Sequence, residues 1–79
     1  MSCEEGVYDL ETMVDISMGV RMARARARLT QEALCQEAGL CRATLSGIEH
    51  GANTTIETLS RIACACSVPL SQLIAWGET

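Results

Sequence analysis

The sequence predicts a small all-α domain built from five short helices. Three observations point there. The chain has 79 residues, room for one compact domain. Its apolar residues recur at spacings of three and four, and no stretch of period-two alternation appears. Threonines and glycines stand where helices of eight to twelve residues would start and stop. A hydrophobic content of 48% with a single proline excludes a disordered or collagen-like chain. The length excludes a large catalytic scaffold.

The first helix is expected from about Asp15 to Leu29, where Ile16, Val20, Ala23 and Ala27 form one stripe with arginines between them. Thr30 is placed to cap a second helix, and Gln31 and Glu32 follow where the helix dipole favours a carboxylate. That helix runs to Ala38, and Gly39 stands where a left-handed residue closes it. A third helix is expected from Cys41 or Arg42 to His50, closed by Gly51, with Leu45 and Ile48 as its apolar positions. Residues 51–55 read as a polar loop. Thr55 then caps a fourth helix, Ile56 to Cys66, with Ile56, Leu59, Ile62, Ala63 and Cys66 on one face. Val68-Pro69 interrupts the chain, because proline cannot continue a helix but can begin one. Leu70 to about Trp76 forms the fifth helix.

Charge divides the chain. The net charge is −4, which at first sight argues against a nucleic-acid partner. Residues 1–15, however, hold five acids (Glu4, Glu5, Asp9, Glu11, Asp15) and no base, and all six arginines fall in residues 16–79. The chain therefore reads as an acidic N-terminal extension, residues 1–15, on a mildly basic domain, residues 16–79. The extension also carries Val7, Leu10 and Val14 at helical spacing. It is open to three uses: covering part of the domain, binding a protein partner, or remaining unstructured. No run of 18 apolar residues suggests a membrane span, and the acidic N-terminus lacks a signal-peptide pattern. The expected location is cytoplasmic.

Five cysteines are many for this length, but the odd count and the lack of C-x-x-C or H-x-x-H spacing speak against a disulfide framework or a zinc site. Their plain reading is small apolar residues, with redox sensing through Cys64 as the other. No metal or cofactor is expected. The one histidine, His50, has no nucleophile or paired acid at a readable spacing, so no enzyme is expected either.

A short capped helix, a glycine turn and a second short helix inside an all-helical domain make a helix-turn-helix. The run Leu29-Thr-Gln-Glu-Ala-Leu-Cys-Gln-Glu-Ala-Gly-Leu-Cys-Arg-Ala-Thr-Leu-Ser-Gly-Ile-Glu-His-Gly51 closely resembles the XRE/Cro-type family of DNA-binding regulators. Ile56-Glu-Thr-Leu-Ser-Arg-Ile-Ala63 and Val68-Pro-Leu-Ser-Gln-Leu73 resemble that family's fourth and fifth helices. The resemblance covers about residues 16–75 and implies a five-helix, lambda-repressor-like domain. Ser46-Gly-Ile-Glu49 is also shared with small restriction–modification controller proteins.

The resemblance implies roles residue by residue. Arg24 and Glu49 would form a partly buried ion pair joining the first helix to the end of the third. Gln31 would bond a phosphate. Arg42, Ala43 and Thr44 would open the recognition helix toward base edges, Arg42 by bidentate contact with guanine and Ala43 or Thr44 by a methyl against thymine. Ser46, Asn53 and Thr54 would contact phosphates, and His50 would lie near the DNA backbone. Gly47 departs from the family, which often has a long polar residue there. Its reading stays between close approach to DNA and plain tolerance. Cys35 stands four residues before the turn glycine, where the family usually has alanine and only a small side chain fits. The loop after helix three lacks the cations that many relatives direct at phosphates, so weak non-specific affinity and a shallow salt dependence are expected.

Family members bind inverted repeats as two-fold dimers. Here the fifth helix would supply the contact through Leu70, Ile74 and Trp76, with Trp76 folding back on its own domain as the other reading. The expected partners are thus double-stranded DNA and a second copy of the chain. The expected function is sequence-specific transcriptional regulation directed at its own operon; an antitoxin that represses its own operon and a restriction–modification controller are the alternatives.

Overall fold

The structure, a computed structural model, describes residues 14–78. It contains five helices in chain order: α1 Ile16–Ala27, α2 Gln31–Ala38, α3 Arg42–Glu49, α4 Ile56–Ala65 and α5 Leu70–Gly77. The acidic stretch 1–13, with the Val7 and Leu10 spacing, lies outside the described residues.

Local hydrogen bonds set most helix ends. Asp15 accepts from Met18 N at 3.1 Å and from Ser17 Oγ at 2.6 Å, capping α1. The Ser17 bond and then the Met18 bond hold the Asp15 carboxyl below its ordinary value. Thr30 caps α2 by accepting from Ala33 N at 3.0 Å, and Thr55 caps α4 by accepting from Thr58 N at 3.1 Å. Gly39 closes α2 in the left-handed conformation, φ 73°, which costs glycine nothing sterically. Arg28 takes the same conformation at the end of α1, φ 59°. There Arg28 N donates to Ala25 O and Leu29 N to Arg24 O. The helix therefore ends two residues earlier than its periodicity predicts, because Leu29 turns in to pack against the core.

The core gathers one stripe from every helix: Val20 and Ala23; Leu34, Cys35 and Ala38; Leu45 and Ile48; Leu59, Ile62 and Ala63, with Cys66 just beyond; and Leu73. Cys35 occupies the tight junction expected of it, and burial pushes its thiol above the ordinary value. Ile56 is corrected. It is 56% exposed, because at the first position of α4 it stands one turn ahead of the stripe that reaches the core.

α5 is held more closely than its composition suggests. A Cβ on Gly19 would run into the carbonyl oxygen of Leu73, and one on Gly77 into the carbonyl oxygen of Asp15. Asp15 N donates to Gly77 O at 2.7 Å, and Val14 pairs antiparallel with Glu78. Val14 is buried. Residues 14 and 15, grouped by charge with the extension, are thus built into the domain, where they close the entry of α1 onto the end of α5. Among the described residues, no helix is long and apolar enough to cross a membrane.

Candidate nucleic-acid interface

α2 and α3 meet through a turn of three residues, Gly39 to Cys41. The buried face of α3 is Leu45, Ile48 and Glu49. At 100° per residue the opposite ridge is Ala43, Ser46, Gly47 and His50. Arg42, Ala43 and Thr44 are exposed at the opening of the helix, while Ser46 and Gly47 are half-buried. In the following loop Asn53 is exposed and Thr54 half-buried. Arg42, Ala43 and Thr44 thus share the exposed opening of α3, and Asn53 and Thr54 follow in the loop beyond its other end.

Behind them sits a buried carboxylate. Glu49 is 5% exposed, and Arg24 meets it in fork geometry, Nε to Oε2 at 2.6 Å and Nη2 to Oε1 at 3.1 Å. Arg24 Nη1 donates further to Leu29 O at 3.1 Å, so the same guanidinium ties down the end of α1. Burial pushes the Glu49 carboxyl upward, but hydrogen bonds from Arg24 and Gln31 outweigh it and hold the group below its ordinary value. The Glu49 bond raises Arg24 in turn. Arg24 is therefore committed to the fold and not to an outside ligand.

Gln31 is the member of this cluster that sequence reasoning missed. Its Nε2 donates to Glu49 Oε1 at 2.9 Å, and its Oε1 accepts from Arg42 Nη2 at 3.4 Å. The expected role for Gln31 was a phosphate contact alone. One of its amide hydrogens is instead given to Glu49, which leaves the other for an outside acceptor. The resemblance offered Arg24 and Glu49 as a pair, and no spacing along the chain links residue 31 to residue 49.

Other polar groups on this side have local partners. Thr44 Oγ1 lies 3.0 Å from Cys41 Sγ, a contact that, with backbone N–H groups of α3, lowers the Cys41 thiol below its ordinary value. His50 Nδ1 lies 2.7 Å from Ser46 O. A carbonyl only accepts, so Nδ1 carries the hydrogen and Nε2 is the nitrogen left for an outside partner.

Gly47 needs no close neighbour. A Cβ there would rest 3.6 Å from Ala52 Cβ, an ordinary contact. Gly47→Ala is therefore expected to raise stability by about 0.5–1 kcal/mol, the usual gain for a helix-interior glycine. A thermal melt checks this, and a lower melting temperature would contradict the unstrained contact beside Gly47.

The interface candidates on α5 are half-buried rather than free. Leu70, Ile74 and Trp76 are all in this class, and Leu70 and Trp76 pack against the core. The Arg26 guanidinium stacks on the Trp76 ring at 4.9 Å from its centroid. Trp76 thus does fold back on its own domain, with part of its surface left over. Among the described residues, no group of three or more His, Cys, Asp or Glu side chains is placed to hold a metal ion. Cys41 and Cys64 are exposed, and all four described cysteines are free thiols.

The sequence model of the helix-turn-helix family matches residues 20–73. Among solved structures, the restriction-modification controller protein C.AhdI from Aeromonas hydrophila is similar to 76% of this chain over 92% of its own. The identity is 28% and the TM-score 0.71. The wild-type restriction-modification controller protein C.Esp1396I is similar over 89% of this chain and 95% of its own, with 28% identity and a TM-score of 0.70. A point-substituted form of C.Esp1396I shows 30% identity over 81% of this chain and 92% of its own, with a TM-score of 0.70. No curated protein sequence matches significantly.

Proposed function

Because the chain belongs to the XRE-type helix-turn-helix family of DNA-binding regulators, we propose that it reads an inverted-repeat operator in double-stranded DNA as a homodimer and controls its own transcription. The observation that carries this reading is the split character of α3. One face is locked into the core through Leu45, Ile48 and Glu49, while its opening residues Arg42, Ala43 and Thr44 are exposed. A helix anchored in this way presents its N-terminal side chains to the major groove. Arg42 reads guanine, Ala43 and Thr44 offer methyl groups to thymine, and Gln31, Ser46, Asn53 and Thr54 bond phosphates. Gly47 lets the backbone of α3 lie low on that face.

The homodimer follows from size. One domain of this kind contacts only a short half-site, and two-fold pairing of subunits matches two half-sites. Leu70, Ile74 and the uncovered part of Trp76 form the contact. Similarity to restriction-modification controller proteins favours a controller of that kind over an antitoxin, so the operator is expected beside the protein's own gene. The domain residues 16–79 carry these contacts.

Selection of bound sequences from random duplex DNA with the purified protein tests the reading. Enrichment of an inverted repeat supports it, and no enrichment at low salt overturns it. Within an enriched site, Arg42→Ala is expected to cost about 1–3 kcal/mol of affinity and to relax preference at one base pair per half-site. A loss of equal size on every sequence would reduce Arg42 to a phosphate contact.

A further inference from the structure

Two backbone contacts pin the entry of α1 to the end of α5: the bond from Asp15 N to Gly77 O and the antiparallel pairing of Val14 with Glu78. The chain ahead of Val14 is therefore tethered within two residues of Trp76. Val14 is buried, and it is the last member of the apolar stripe Val7, Leu10 and Val14. One member of that stripe is thus already part of the domain. Beside the point where Gly19 meets Leu73, the two helices leave apolar surface over. Met18 and Met22 on α1 and Leu70 and Ile74 on α5 are only half-buried. Trp76 is half-buried too, beneath the Arg26 guanidinium. α5 itself, Leu70–Gly77, contains no charged residue.

Resting on the homodimer reading above, we propose that residues 7–13 cover this α1–α5 face of their own domain and compete there with the second copy. Reach, apolar content and charge all fit this occupant. Seven residues span up to about 25 Å, whereas the eight residues of α5 are only about 12 Å long. Val7, Tyr8, Leu10 and Met13 bring apolar groups that gain by leaving water. Asp9 and Glu11 lie on the same segment, and Arg26 offers them a cation over the Trp76 ring. A segment on so short a tether acts at an effective concentration of about millimolar. In dilute protein it therefore outcompetes a second copy of similar intrinsic affinity. Two adjacent half-sites on DNA raise the local concentration of the second copy and move the balance to the dimer. The segment thus sets the protein concentration at which dimers form.

Tyr8 and Trp76 are the single tyrosine and the single tryptophan of the chain, so energy transfer between them reports the contact. The test uses the full chain at a dilution where sedimentation shows monomers. Excitation of Tyr8 is expected to feed Trp76 emission there, measured against Tyr8→Leu as the baseline. In the double variant Val7→Ser, Leu10→Ser that transfer should fall, and acrylamide should quench Trp76 more strongly. The same double variant should dimerise about four- to tenfold more tightly. A cover present on half of the molecules already gives a factor of about four, because both copies must be open to pair. Absence of transfer in the wild-type monomer overturns the proposal, and so does a double variant whose dimer is unchanged or weaker. A wild-type chain that stays monomeric at every concentration and on DNA overturns the homodimer reading instead. The transfer from Tyr8 to Trp76 then still decides whether the segment covers the face.

Discussion

Glu49→Ala is expected to lower stability by about 3 kcal/mol, the lower end of the range for stranding one member of a buried ion pair. The lower end applies because the Arg24 side chain is a quarter exposed and can partly rehydrate. For a domain of this size the melting temperature should fall by roughly 12–24 °C. Glu49→Gln keeps the shape and one acceptor oxygen, so it should fall between the wild type and the alanine variant. A thermal melt of the three proteins checks the order. A Glu49→Ala protein that melts like the wild type and differs only in DNA affinity would show that the pair does not hold the fold.

The same pair sets a pH dependence. Burial raises the Glu49 carboxyl, while hydrogen bonds from Arg24 and Gln31 lower it by more, so its folded value lies below its unfolded one. Such a group contributes its full stability above the unfolded value, about 4.3 for glutamate. That contribution is lost as pH falls through the folded value. The gap in melting temperature between wild type and Glu49→Ala should therefore be wide at neutral pH and narrow in acid.

Gly19→Val is expected to cost about 2–3 kcal/mol, the upper part of the range for overfilling a packed interior. In an open helix, losing a glycine is favourable by up to about 1 kcal/mol when alanine replaces it. At Gly19 the sign reverses, because a Cβ meets the Leu73 carbonyl oxygen and the Leu73 side chain. Backbone cannot swing aside as a flexible side chain can, so α5 would have to move off α1. Urea melts measure the loss. A stabilised variant would mean that α5 does not pack on α1 at this point. Set beside Gly47→Ala, expected to stabilise, this pair separates a glycine required by packing within the domain from one that the packing of the domain does not require.

The fold was legible because its signals are local. Thr30 and Thr55 cap by bonding an N–H three residues on, and Gly39 turns a single residue. Each interaction spans less than one helical turn, so residue type and spacing carry it. The stripes of α2, α3 and α4 follow a 3.6-residue period that one solvent boundary imposes, and they appear in the core nearly as read. Ile56 departs because a period identifies a face but not how far along the helix that face meets its neighbour. The exposed Arg42, Ala43 and Thr44 were legible for a similar reason: they open a short helix whose buried positions, Leu45, Ile48 and Glu49, all lie further along it.

By itself, then, the sequence determined five helices, the threonine caps of two of them, most of the core stripes and the division between an acidic stretch and an arginine-bearing domain. Tertiary structure decided the rest. It brought Gln31 to Glu49 and Arg42, set Gly19 and Gly77 against backbone carbonyls, drew Val14 and Asp15 into the domain beside Gly77 and Glu78, and laid Arg26 over Trp76. These contacts join residues from 11 to 64 positions apart. No propensity or period couples positions so distant, and only the packed arrangement of the helices brings their atoms within reach.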